Sequence, residues 1–135
     1  MDVEEARSFL REHHRGMLAT MRADGRPQMS IVSVSLDAEG RPAISTREGA
    51  FKVRNIRKDA RVSLCVLSED FSSWIQIDGV ASVLSLPEAM EPLVDAYRSI
   101  AGEHPDWDDY RRAMQEQQRV VVRIDIERAG PDRHA

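Results

Sequence analysis

Several stretches of the chain alternate apolar and polar residues or form short apolar runs, which predicts a protein built mainly of β-strands. Asp24-Gly25 and the similar segment around Gly40 give turn signals between the first strands. Three strands joined by short turns in a meander indicate an antiparallel barrel or sandwich. The predicted strands cover residues 17–21, 28–36, 43–46, 60–67, 74–84 and 119–126.

Segments without alternation predict flanking helices at residues 2–14, 48–58, 87–101 and 105–117. Asp2 is a candidate N-cap of the first helix, and Gly16 is expected to end or follow it. Pro87 is expected in the first turn of the third helix. Gly79 lies in the middle of a predicted strand, which indicates a bulge or a close backbone approach. The last residues, 128–135, are expected to be frayed.

Length and composition bound the possible functions. The 135 residues fit one domain, residues 1–135, and the formal net charge of −4 argues against general nucleic-acid binding. No N-terminal apolar segment resembles a signal peptide and no apolar run could span a bilayer, so we expect a cytoplasmic protein without a membrane partner. Cys65 is the one cysteine, and its apolar neighbours predict a buried small side chain.

A basic segment between the third and fourth strands is the main candidate for ligand binding. Lys52 follows Ser45 and Thr46 and lies near a predicted helix start, where an ammonium, two hydroxyls and backbone amides could bind a phosphate. A solvated helix face explains the same residues more simply, and the sequence leaves both interpretations open. The basic residues of the segment are Arg47, Lys52, Arg54, Arg57, Lys58 and Arg61.

No other motif predicts chemistry carried by side chains. The four histidines lack metal-site spacing, and His13 and His14 are better explained as groups at a helix C-terminus. No nucleophile elbow or nucleotide-binding glycine motif occurs. Trp74 could form the wall of a ring-binding site, although packing in the core or at an interface is the simpler explanation. We therefore expect no metal and no catalytic residue, and a cofactor that carries the electrons if the protein is an enzyme.

Three segments in this order, LATMRADGRPQMSIV, ISTREGAFKVRNIRKDARVSLCV and WIQIDGVASV, resemble the split β-barrel flavin and deazaflavin oxidoreductases of the pyridoxamine 5′-phosphate oxidase superfamily. The later segment YRSIAGEHPDWDDYRRAM resembles the subgroup that uses coenzyme F420. The resemblance implies a mainly β split barrel with flanking helices. It also implies a homodimer with two cofactor sites at the interface.

The resemblance also implies roles for individual residues. Lys52 corresponds to the phosphate-binding lysine, with Asn55 supporting its segment. Arg26 and Arg47 could meet the anionic tail of the deazaflavin. Trp74 and Gln76 are expected from the other subunit. The full set of expected cofactor-binding residues is Gln28, Met29, Ser30, Ser45, Thr46, Arg47, Lys52, Asn55, Trp74 and Gln76.

The implied activity is hydride transfer from reduced F420 to an unsaturated small-molecule acceptor. Binding groups would hold donor and acceptor carbons in near-attack geometry, so no nucleophile is required. Two alternatives remain open at this point. FMN could replace F420 as the cofactor of an oxidase or reductase, or the dimer could bind a cofactor without catalysing a reaction.

Overall fold

The computed structural model describes the backbone of residues 1–134 and the side chains of residues 1–131. It confirms a mainly β fold with flanking helices. The elements, in chain order, are α1 (Val3–Glu12), β1 (Arg15–Met21), β2 (Pro27–Ser33), β3 (Ser35–Leu36), β4 (Pro42–Arg47), α2 (Phe51–Lys58), β5 (Arg61–Leu67), β6 (Ser73–Leu84), α3 (Met90–Ala101), α4 (Trp107–Glu116) and β7 (Arg119–His134).

The seven strands form one antiparallel sheet in the order β2-β1-β5-β6-β7-β4-β3. β2 and β3 are its two edges, yet only Val34 separates them along the chain. Consecutive Cα atoms are about 3.8 Å apart, so the sheet must curl until its edges meet. His14 holds this corner, because its carbonyl accepts from the Val34 amide at 2.8 Å and its ring Nδ1 lies 2.9 Å from the Val34 carbonyl.

Apolar residues from alternate strand positions fill the barrel, and α1 and α2 add side chains at its ends. A second apolar cluster lies between the outside of the barrel and the pair α3 and α4, with Val121, Leu93 and Tyr110 at its centre. The strand β7 therefore contributes to both cores, with Val120 and Val122 inside the barrel and Val121 outside it. No helix in the described part of the chain is long and apolar enough to cross a bilayer.

The strand predicted at residues 28–36 breaks at Val34, where the chain turns the barrel corner. Of the residues predicted to be frayed, 128–134 are not, because β7 continues and pairs with β6 as far as Ser73↔His134. Ala135 lies outside the described residues. Cys65 is only half-buried, since it lies on the outer face of β5.

Two helix boundaries also differ from the prediction. Gly16 does not follow the helix directly. It lies inside β1, where a Cβ would come within 2.8 Å of the Cys65 carbonyl oxygen. Pro87 precedes the third helix, which begins at Met90 after a turn in which the Ala89 amide donates to the Ser85 carbonyl. Asp2 caps α1 as expected, with its carboxylate accepting from the Glu5 amide at 2.8 Å.

Gly79 shows the predicted close approach. The β6–β7 register shifts between Asp78 and Gly79, and a Cβ at Gly79 would lie 2.2 Å from the Asp125 carbonyl oxygen and 2.8 Å from Ile124 Cγ2. Both obstacles belong to a central strand that cannot move without disturbing its own pairing. Only glycine fits this position.

Gly79→Ala is expected to lower the free energy of unfolding by about 1–3 kcal/mol or more, because the methyl group overpacks the sheet. Urea denaturation followed by circular dichroism measures this loss. Gly49→Ala is the matched control, since a Cβ there meets nothing within 4 Å. Equal stability of the two variants would contradict the close approach.

Candidate functional site

A cleft of about 630 Å³ lies where the sheet edges meet beneath α3 and α4. Strand residues Ile31 and Ser45 lie on its barrel side, and Tyr97 and Met114 form its helical wall. At one end it joins a shallower depression of about 540 Å³, which reaches the start of α2. The residues common to both parts are Thr46, Lys52, Gln117 and Arg119.

This shared end of the cleft is basic. Lys52 extends from the first turn of α2, and its Nζ donates to Thr46 Oγ1 at 3.4 Å. Arg119 begins β7, and its Nε donates to Gln117 Oε1 at 2.8 Å. Arg47 lies directly opposite Arg119 in the β4–β7 register. Three cations therefore surround one opening, and they come from three different elements.

None of these three cations forms an ion pair within the described residues. Glu48, the acidic neighbour of Arg47, instead pairs with Arg57. Burial, followed by the Arg119 charge, lowers the pKa of Lys52. Burial, followed by the Arg47 charge, lowers the pKa of Arg119. Like charges placed opposite each other on neighbouring strands are unfavourable, and an anion in the opening would relieve this repulsion.

The start of α2 adds to the positive potential. Ala50 is its N-cap residue, and no side chain caps this end. The Val53 amide donates to the Ala50 carbonyl, but the amides of Phe51 and Lys52 precede the first hydrogen bond of the helix, and the helix dipole places partial positive charge there. Lys52 thus combines an ammonium with an uncapped helix end, which is a combination suited to a phosphate.

Asn55, one turn further along α2, ties the helix to the barrel. Its Nδ2 donates to Thr20 Oγ1 at 3.0 Å and to Gln28 Oε1 at 3.2 Å. Thr20 is fully buried, so this amide satisfies a hydroxyl that water cannot reach. Nearby on the same inner face of β2, Ser30 Oγ is buried and has no partner among the described protein atoms.

The remaining predicted residues lie elsewhere. Arg26 is exposed in the β1–β2 turn, and Met29 projects outward from β2 with 62% of its surface exposed. Trp74 and Gln76 lie on the outer face of β6 and do not line the cleft of their own chain. Of the ten predicted residues, Ser45, Thr46 and Lys52 line the cleft, and Arg47 lines the adjoining depression. Asn55 links α2 to Gln28 on the neighbouring β2.

Cross-strand register groups the outward residues into one surface, which we call the outer β2–β6 face. Its members lie on β2, β1, β5 and β6. They are Met17, Met29, Ile31, Cys65, Trp74 and Gln76. Ile31 is 82% exposed and also borders the cleft, so the face and the cleft are continuous.

The sequence-based prediction missed Arg119, Gln117 and the helical wall. The wall is built by a cluster of aromatic rings from α3, α4 and their connection, formed by Tyr97, His104, Trp107 and Tyr110. Tyr110 fixes it in place, because its hydroxyl donates to the Leu93 carbonyl at 2.9 Å. The sequence feature that could have pointed to Arg119 is its position at the start of a valine-rich strand.

Comparisons with known proteins identify the family of this chain. Residues 3–131 match the sequence profile of the family described as pyridoxamine 5′-phosphate oxidase. A curated relative from Mycobacterium tuberculosis (strain CDC 1551 / Oshkosh), named F420H(2)-dependent biliverdin reductase, is 33% identical over 127 residues, which cover 93% of this chain and 84% of the relative.

Solved structures show the same fold. A conserved hypothetical protein from Mycobacterium tuberculosis superposes with a TM-score of 0.81 at 26% identity, over 99% of this chain and 85% of the other. A structure named F420 reductase gives a TM-score of 0.71 at 20% identity, over 91% and 94% of the two chains. These matches confirm the split-barrel fold class.

Asn55→Ala is expected to lower the free energy of unfolding by about 1–3 kcal/mol, because Thr20 Oγ1 loses its partner where water cannot replace it. Chemical denaturation measures the change. Arg54→Ala on the same helix is the control, since it removes only an exposed contact with the Phe51 ring. Similar losses in both variants would contradict a bridging role for Asn55.

Proposed function

Because this chain belongs to the pyridoxamine 5′-phosphate oxidase family, we propose that it is an F420-dependent reductase that transfers a hydride to an unsaturated small molecule. One observation carries the proposal: Lys52, Arg47 and Arg119 surround one opening and none has a carboxylate partner among the described residues. The cofactors of this family carry a phosphate, and the relative at 33% identity is named for its use of F420H(2).

The donor set of the cleft fits a phosphorylated cofactor. Lys52 and Thr46 would bind the phosphate together with Arg119, and the uncapped start of α2 would add backbone amides. Arg47 extends the positive charge along the shallower depression, where a longer anionic tail would find a counter-charge. Ser30 Oγ, buried and unpartnered, offers a hydrogen bond to the polar edge of a bound ring system.

When bound, reduced F420 would supply the hydride. This chain would then bind the cofactor and the acceptor, orient them relative to each other and exclude water. Asn55 keeps α2, and therefore Lys52, at a fixed distance from β1 and β2. Tyr97 and Met114 form an apolar wall against which an unsaturated acceptor could pack. Positioning of this kind accelerates a reaction without any nucleophile on the protein.

We further propose that two chains complete each site. The outer β2–β6 face is partly apolar, and it adjoins the cleft through Ile31. A second copy packed on this face would bury Met29 and Ile31 and would bring its own Trp74 and Gln76 close to the cleft. This accounts for two predicted site residues that the single chain places outside the cleft.

The identity of the cofactor is tested by titrating the purified protein with F420 and with FMN while following fluorescence. We expect the tighter complex with F420, because the basic depression beyond the phosphate site matches its longer anionic tail. Tighter binding of FMN, or a yellow protein that co-purifies with FMN, would instead identify an FMN enzyme.

Turnover of F420H(2) is tested with a panel of acceptors: biliverdin, other tetrapyrroles, quinones and enones. If none of them oxidises F420H(2) in the presence of the protein, a role in cofactor binding alone is favoured.

Lys52→Ala is expected to weaken F420 binding by about 1.5–3 kcal/mol, which is roughly 10- to 150-fold, because a charge-assisted contact with the phosphate is lost. Fluorescence titration measures the change. Lys58→Ala is a matched control, since it removes the chain's other lysine from the exposed end of the same helix. Unchanged affinity in Lys52→Ala would refute the phosphate role.

The pH dependence of F420 binding is a second test of the role of Lys52. The ammonium binds phosphate and the neutral amine does not, so affinity should fall as pH rises through the lowered pKa of Lys52. The fall should begin below the pH at which an ordinary lysine titrates. Lys52→Arg should remove this part of the pH dependence, because a guanidinium stays protonated there.

A further inference from the structure

A second cavity, of about 550 Å³, lies beside α3 and adjoins the cleft, since Ala43 and Ala96 line both. The two openings use neighbouring stripes of this helix. Pro92, Asp95 and Ser99 line the second cavity, whereas Tyr97 and Ile100 line the cleft. The opposite wall comes from β3 and the turn that follows it, together with the outer side of β4 and β7.

Arg123 forms part of the base of this cavity. It lies on β7 opposite Ala43 of β4 and Ser82 of β6, while its neighbours Val122 and Ile124 point into the barrel. Its Nε is buried and has no hydrogen-bond partner among the described protein atoms. No ion pair of Arg123 occurs within the described residues either. A buried guanidinium NH without an acceptor is unfavourable, so this group calls for a ligand.

The three carboxylates that line the cavity are already engaged with other arginines. Asp37 pairs with Arg41 at 2.8 Å, and Glu39 lies 3.4 Å from the same guanidinium. Asp95 lies 3.8 Å from Arg98. Arg123 is therefore the lining cation that has no counter-charge in the described part of the chain.

The two lining hydroxyls are engaged as well. Ser99 Oγ donates to the Asp95 carbonyl at 2.8 Å, and Ser35 Oγ donates to the Ala43 carbonyl at 3.5 Å. The rest of the surface is mostly apolar and is contributed by Leu36, Ala38, Ala43, Pro92, Ala96 and Val121. The cavity thus combines one unsatisfied cationic donor with apolar side chains and with polar groups that already have partners.

We propose that this cavity binds a small monocarboxylate with an apolar body, whose carboxylate accepts hydrogen bonds from Arg123. The guanidinium fork matches the geometry of a carboxylate, and the apolar walls suit an aromatic or branched aliphatic body. Asp37, Glu39 and Asp95 at the cavity would repel a dianion, which selects against phosphate esters. This site is separate from the basic end of the cleft and does not depend on which cofactor binds there.

The test is a titration of the full chain with benzoate, followed by ¹H–¹⁵N correlation spectra that include the arginine Nε–Hε signals. Arg123→Lys assigns the Arg123 signal by its loss. Benzoate is expected to shift this signal and the amides of Ser99 and Val121, which line this cavity and not the cleft, in a saturable manner. Benzyl alcohol, which has the same ring without the charge, is expected to cause no such shift. Absence of a saturable shift, or equal shifts with benzyl alcohol, would overturn the proposal.

Variants separate this site from the cleft. Arg123→Met should weaken benzoate binding, followed by the amide signals of Ser99 and Val121, at least about tenfold. This is the effect of losing one charge-assisted contact. In Arg119→Met, benzoate should still shift the Nε–Hε signal of Arg123. Loss of this benzoate-induced shift in that variant would assign benzoate to the cleft instead. If Arg123→Met does not fold, Arg123→Lys carries the comparison. The lysine variant keeps the charge but loses the forked donor, so benzoate should bind severalfold more weakly. Unchanged benzoate binding would overturn the proposal.

Discussion

The central feature of this protein is positive charge that the fold brings together and that no carboxylate of the described residues neutralises. Antiparallel pairing of β4 with β7 places Arg47 opposite Arg119, and the short connection from β4 to α2 adds Lys52 to the same opening. Burial lowers the pKa of both Lys52 and Arg119, so the protein sacrifices some stability to keep these cations adjacent. An anion in the opening would relieve the repulsion between these cations, and the proposal of a phosphorylated cofactor rests on this point.

Barrel closure explains why the opening has this shape. The chain leaves one sheet edge at Ser33 and enters the other at Ser35, so the two edges meet at Val34. The cleft follows this meeting line, with α3 and α4 above it. Asn55 joins α2 to the first hairpin and so fixes Lys52, at the proposed phosphate end, relative to β1 and β2. In the proposed dimer, a second chain on the outer β2–β6 face would complete the site.

Sequence reasoning recovered the parts of the fold that local patterns determine. The strands, the hairpin turns and the association of Ser45, Thr46 and Lys52 follow from residues close together in the chain. Arg119 was missed because its position in the site depends on β7 pairing with β4, about seventy residues earlier. The break at Val34 was missed because alternation continues through it, and only the closed barrel requires a corner there. The extension of β7 was missed because its charged residues and Gly130 resemble a solvated tail.

The roles of Met29, Trp74 and Gln76 rest on the resemblance alone, since the single chain places them outside the cleft. A structure of the protein with F420 bound tests the central proposal most directly. The account predicts a dimer in which the phosphate lies within hydrogen-bond distance of Lys52 and Arg119, with Trp74 of the partner subunit beside the ring. A phosphate bound away from both cations, or a complete site within one chain, would contradict it.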